Sequence, residues 1–134
     1  MKTILVVEDD LAVRNGIRRI LERAGYAVIT ASTALEAMER AAGPETPIDL
    51  LLTDFVLPDA TGRQLADVLA GARPGLRVLY ISGYDEADIA AHRHGGPGAA
   101  FLRKPFAVNA LLEWVEVLLG GDGETKAAAG GEQG

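Results

Sequence analysis

The sequence predicts an α/β fold, a doubly wound parallel sheet of five strands with helices on both faces. Three observations lead there. Short apolar runs alternate five times with longer segments whose apolar residues recur every three to four positions. The runs are continuous rather than alternating, as strands buried on both faces require. Polar residues able to do chemistry stand just past several of these runs, at the carboxyl ends of strands, where open parallel sheets place their ligands.

Ile4-Leu5-Val6-Val7 is the first strand. Residues 11 to 24 follow with a helical stripe of Val13, Ile17, Ile20, Leu21 and Ala24. Asp9 or Asp10 can cap this helix and Gly25 can stop it. Ala27-Val28-Ile29 is the second strand. Thr33 and Glu36 form a capping box for a helix reaching about Ala42, ended by Gly43-Pro44 and Pro47. The third strand covers Ile48 to Thr53, and Pro58-Asp59 marks the loop after it, with Asp59 read as a turn residue. Thr61 and Gln64 form a second capping box, for a helix burying Leu65, Val68, Leu69 and Ala72. Pro74-Gly75 turns the chain into a fourth strand, Val78 to Ile81. Asp85 to His92 is expected as a helix of about two turns, broken by Gly95-Gly96-Pro97-Gly98. Ala99 to Leu102 is the fifth strand. Val108 to Leu119 is the last helix, with Leu111, Leu112, Val115 and Leu118 inward and Ala107 where a capping side chain often stands. One domain over 1–119 is expected, with 120–134, rich in glycine, as a disordered tail.

Composition narrows the function. The chain has no cysteine, so disulfides, zinc-thiolate sites and cysteine nucleophiles are excluded. A net charge of −6 argues against direct binding to nucleic acid or an anionic membrane. Arg18 and Arg19 belong to a mixed solvated helix face, since Glu22 and Arg23 follow. No apolar run approaches a membrane span or a signal-peptide core, so a soluble, cytoplasmic protein is expected. His92 and His94, two apart, fall on different faces of a helix and do not make a chelating pair.

The polar strand ends converge. Glu8 and Asp9 end the first strand, Asp54 the third and Ser82 the fourth, and Lys104 follows the fifth. Three neighbouring carboxylates repel unless a cation intervenes. A hard divalent ion such as Mg²⁺ takes oxygen ligands and is often held by one or two carboxylates and a phosphate. Lys104 adds positive charge and Ser82 a hydroxyl, which together suit an incoming phosphoryl group with one carboxylate as nucleophile.

The segments Val7-Glu8-Asp9-Asp10, Leu52 to Gly62, Tyr80-Ile81-Ser82-Gly83 and Phe101 to Phe106 resemble the motifs of response-regulator receiver domains of two-component signalling, in order and spacing, over about residues 1 to 119. The resemblance implies a flavodoxin-like sheet in the order 2-1-3-4-5. It makes Asp54 the phospho-acceptor, Asp9 a direct metal ligand, Glu8 the second acid, and the backbone carbonyl of Val56 a further ligand, for Mg²⁺ or Mn²⁺. Ser82 and Lys104 then face the phosphoryl group, Phe101 is the aromatic switch, and Val56 and Tyr84 tune the phosphoryl lifetime. Pro105 is expected to follow Lys104 through a cis peptide. The implied partners are a histidine kinase or histidine phosphotransfer protein and a downstream protein bound through the fourth and last helices and the fifth strand, with the chain a monomer or a phosphorylation-dependent dimer. It acts as a switch rather than a turnover enzyme. Phe101 departs from the commoner tyrosine and makes the switch apolar.

Met1 standing directly before the first strand favours a stand-alone receiver, while Tyr80-Ile81-Ser82-Gly83-Tyr84 also resembles receivers attached to hybrid kinases. Other functions fit less well. A metal-dependent phosphatase would carry an Asp-x-Asp pair at the first strand end. A nucleotide-binding module would need a glycine-rich loop where Asp9-Asp10-Leu11-Ala12 stands. A scaffold that takes no phosphate would not need Glu8, Asp9, Asp54, Ser82 and Lys104 together.

Overall fold

A computed structural model describes residues 1–43, 45–83 and 100–120. In it β1 (Thr3–Val7), β2 (Ala27–Ala31), β3 (Leu50–Asp54), β4 (Arg77–Ser82) and β5 (Ala100–Arg103) form one sheet in the order β2-β1-β3-β4-β5. Every pairing is parallel. The helices are α1 (Leu11–Arg23), α2 (Ala34–Arg40), α3 (Gly62–Ala72) and α4 (Val108–Leu119).

Alternation along the strands divides the core in two. Leu5, Val7 and Leu51 point to one face, where they meet Ala34 and Ala37 of α2 and Leu65, Ala66 and Leu69 of α3. Ile4, Val6, Leu50 and Leu52 point to the other, against Ile17 and Leu21 of α1 and Leu111 and Val115 of α4. Both sides of the central strands are therefore dry, which accounts for their continuous apolar sequence. After β2 the chain crosses back to the far side of β1. The two strands that flank this reversal, β1 and β3, leave a crevice between their carboxyl ends, and they carry Glu8 and Asp54 there.

Several local expectations needed correction. Val68 and Ala72 are exposed, and Ala66 takes the inward place in α3. The helix presents a narrow stripe to the sheet, and Val68 lies beyond its edge. Ala24 is likewise exposed, just past α1. Strand β3 begins two residues later than expected and ends on Asp54 itself. Strand β2 runs on to Ala31, in register with Val7. The box at Thr61 is complete, with both Thr61 and Gln64 engaged. At α2 only half of it forms: Thr33 Oγ1 accepts from Glu36 N–H, while the Glu36 carboxylate turns to Ser32 N–H and Oγ. The expected helix at 85–92, the break at 95–98, His92, His94, Tyr84 and residues 121–134 lie outside the described residues.

Candidate functional site

The crevice is built from the ends of three strands. Glu8 leaves β1 fully buried, its N–H bonded to the Ala31 carbonyl at 3.0 Å. Arg14 donates to the Glu8 carbonyl at 2.8 Å, and Asp10 N–H to Glu8 Oε2 at 3.0 Å. Asp9 is exposed at the mouth. Asp10 caps α1 by accepting from Val13 N–H at 3.1 Å. Glu8, Asp9 and Asp54 each offer an oxygen, and these lie within 4.8 Å of one another.

Asp54 is held from behind by its neighbours. Thr53 Oγ1 donates to the Asp54 carbonyl at 2.9 Å. Phe55 N–H reaches the Ile81 carbonyl at 2.8 Å, and Gly62 N–H reaches the Phe55 carbonyl at 2.7 Å. Helix α3 approaches so closely that a Cβ at position 62 would stand 2.3 Å from the Asp54 carbonyl oxygen. Only glycine fits there. Gly62 was visible in the sequence as part of the motif, but its packing role was not.

The cation enters from β5. Lys104 N–H bonds to the Ser82 carbonyl at 2.7 Å, and the Lys104–Pro105 peptide is cis, as the resemblance implied. The ammonium sits 2.8 Å from Glu8 Oε1 and 3.0 Å from Asp54 Oδ1. Ser82 is buried at the end of β4. Val56 is exposed on the loop after β3. Asp9, Asp54, Val56, Ile81, Ser82, Gly83 and Lys104 line one open cleft of about 310 Å³. Of the residues singled out from the sequence, Glu8, Asp9, Asp54, Val56, Ser82 and Lys104 are thus brought together.

Phe101 lies below this rim, half-buried on β5, its ring stacked on Tyr80 at 5.2 Å. Tyr80 meets Phe55 edge-on at 5.4 Å, and Phe55 lies 5.7 Å from Phe101. The residue next to Asp54 is therefore in ring contact with the fifth strand.

The electrostatics follow from crowding. Burial pushes the Asp54 carboxyl up, the hydrogen bond and charge of Glu8 push it further, and Lys104 only partly offsets this, leaving it at about 7. Burial also pushes Glu8 upward, but its bonds to Asp54, Lys104 and Asp10 N–H outweigh that and hold it below the ordinary range. Lys104 is disfavoured by burial and rescued by the two acids, which raise it. Of the two facing acids, Asp54 therefore takes up a proton more readily than Glu8. A carboxyl that keeps its proton is a poor ligand for a cation. A hard divalent cation on these oxygens would displace the proton, so the donor set fits such an ion.

A sheet of this order with an acidic crevice at its reversal and a lysine across it defines a class of small signalling domain. The chain belongs to the response regulator receiver domain family, whose model matches residues 4–116. It is 34% identical over 119 residues to the response regulator receiver protein CpdR of Brucella abortus, covering 89% of this chain and 98% of that protein. It is 33% identical over 117 residues to the sensor kinase CckA of the same organism, covering 87% of this chain but only 12% of the kinase. Among solved structures, the receiver domain of the hybrid histidine kinase CckA superposes with a TM-score of 0.73 at 34% identity, covering 87% of this chain and 98% of that one. A CheY-like receiver from Methanospirillum hungatei gives 0.79 at 30% identity, covering 93% and 98%. Among the described residues, no helix is long and apolar enough to cross a membrane.

Proposed function

We propose that this receiver is a phosphorylation switch whose acceptor is Asp54. A phosphohistidine on a histidine kinase or phosphotransfer protein presents its phosphorus to the cleft. An Asp54 carboxylate oxygen attacks it, the new O–P bond forms, and the P–N bond breaks with its electron pair leaving on the imidazole nitrogen. Lys104, already 3.0 Å from Asp54, swings from the acids to the phosphoryl oxygens. The Ser82 hydroxyl, at the end of the neighbouring strand β4, donates to another oxygen.

Glu8, Asp9, Asp54 and the Val56 backbone carbonyl would hold Mg²⁺ or Mn²⁺. When bound, that ion supplies charge neutralisation for the phosphoryl oxygens and keeps Asp54 unprotonated. Glu8 positions Asp9 and Asp54 from its buried place rather than reacting. Hydrolysis at the same site returns the chain to its starting state, with Val56 and Tyr84 governing water access, so the protein cycles rather than turning over a substrate. The phosphorylated state presents a changed face around β5 and α4, with Phe101 as its aromatic switch residue, to a downstream protein, in the cytoplasm. We place the functional unit at residues 1–119.

The observation that carries this reading is the three-carboxylate cluster closed by Lys104. Intact-mass spectrometry after incubation with acetyl phosphate tests it. A single Mg²⁺-dependent phosphoryl adduct on the wild type, absent in Asp54→Asn, is expected. A folded wild type that takes no adduct with Mg²⁺ present would overturn the reading.

A further inference from the structure

The loop between Asp54 and α3 carries Val56 into the cleft, and its support comes from an unexpected direction. Inside the loop, Leu57 N–H bonds to the Ala60 carbonyl at 2.9 Å, and Val56 bridges Thr61. Between Leu57 and Ala60, the hydrogen bonds that leave the loop belong to Asp59. Its Oδ1 accepts from Ala34 N–H at 2.9 Å and its Oδ2 from Leu35 N–H at 3.0 Å. These are the first two amides of α2, a helix some 25 residues earlier in the chain and rooted by Ala34 and Ala37 in the core.

We propose that Asp59 is a positioning residue for phosphoryl transfer: by grasping the start of α2 with both carboxylate oxygens, it fixes the 55–61 loop and with it the Val56 carbonyl relative to Asp54. This rests on the function proposed above. Within α2 Thr33 takes only the third amide, so the first two are left to a group from outside the helix, and Asp59 brings the loop with it. The two-oxygen grip removes the freedom a single bond would leave, and Pro58, immediately before Asp59, fixes the backbone entering it. The two amides also hold the carboxyl below the usual aspartate range, so the grip is that of an anion on aligned N–H groups. A ligand carbonyl on a loop is only as well placed as the contacts that fix the loop, and loss of such outer supports commonly weakens metal binding.

The experiment compares Asp59→Ala, Asp59→Asn and Thr33→Ala in the full chain. Thr33→Ala removes a cap from the same helix without touching the loop. Three quantities are read: Mg²⁺ affinity by titration calorimetry on the unphosphorylated protein, the rate of adduct formation with acetyl phosphate, and hydrogen exchange of the Leu57 and Gly62 amides. Asp59→Ala should lower both Mg²⁺ affinity and phosphorylation rate by about tenfold and speed exchange at Leu57. Asp59→Asn, with one remaining acceptor, should fall between. Thr33→Ala should leave all three unchanged. Equal behaviour of Asp59→Ala and Thr33→Ala would reduce Asp59 to a cap and overturn the inference, as would an unaltered Asp59→Ala. A wild type that takes no phosphoryl group would instead overturn the proposed function, and the exchange of Leu57 would still decide whether Asp59 fixes the loop.

Discussion

Helices α2 and α4 both start at the carboxyl edge of the sheet, on either side of the acidic crevice, and they are held in opposite ways. The seven-residue α2 has its first three amides taken by side chains, two by Asp59 and one by Thr33, and Glu36 adds bonds to Ser32. The twelve-residue α4 starts at Ala107 with no side-chain cap. Neither is long enough to sustain itself in water; the place of α2 is set by its caps together with two small buried residues, Ala34 and Ala37. The longer one is held by burying Leu111, Val115 and Leu119. The contrast extends to the site. The acid side, with Asp54 and its loop, is fastened by many specific bonds, whereas the basic side, Lys104 to Ala107, leads into a helix start with no side-chain cap, held by the apolar packing of Phe106 and Leu111. The segment around Asp54 is thus tied by more specific bonds than the segment that follows Lys104.

The largest effect should come from disturbing the tight side. Gly62→Ala forces a methyl against the Asp54 carbonyl and should cost about 3 kcal/mol, read by chemical denaturation. If it costs nothing, the acid side is less constrained than its contacts imply. Next is the strain within the acids. The folded Asp54 pKa of about 7 stands above the ordinary 3.8, so its contribution to stability is complete below the unfolded pKa and is lost as pH rises through about 7. In chelator, Asp54→Asn should therefore stabilise the protein by on the order of 2 kcal/mol well above neutrality and hardly at all at acid pH. A pH-independent difference in melting temperature would contradict the raised Asp54 pKa.

The helix starts can then be compared directly. Thr33→Ala should cost about 1 kcal/mol, and Ala107→Ser should gain a similar amount. Should Ala107→Ser also slow phosphorylation, the looseness of the basic side would be functional. The smallest effect concerns Glu36, whose bonds to Ser32 N–H, Arg40 and the Ser32 hydroxyl depress its pKa to about 2. Its contribution is present above the unfolded pKa of 4.5 and fades as pH falls through about 2. Glu36→Gln should thus lower stability by a few tenths of a kcal/mol near neutrality, since the pair with Arg40 is solvent-exposed, and the difference should vanish in strong acid.

The crevice was legible because each of its residues follows an apolar run, and the run marks both the strand and its end. Glu8, Asp54 and Ser82 could be placed by that rule, and Lys104 by the proline after it. What supports the crevice was hidden. Asp59 stands in a Pro-Asp pair that looks like any turn, and its partners are amides 24 and 25 residues away, which leave no periodic trace. Arg73 appears as one more surface cation, yet its guanidinium gathers the carbonyls of Thr46, Ala41 and Gly43 and fastens the end of α2 to α3. Arg14 is similar, since its bond goes to a backbone carbonyl. The exposure of Val68 shows a different limit: periodicity gives the direction of a stripe but not its width.

The rings beneath the crevice also give the molecule two separate optical windows. Phe55, Tyr80 and Phe101 are in mutual contact beside Asp54, so their near-ultraviolet dichroism depends on how they are turned relative to one another. The single tryptophan, Trp114, is partly exposed on the outward side of α4, and its fluorescence responds to what covers that surface. Dichroism reports on the buried rings and fluorescence on the α4 surface, so changes at the two places can be timed against each other in the unlabelled protein.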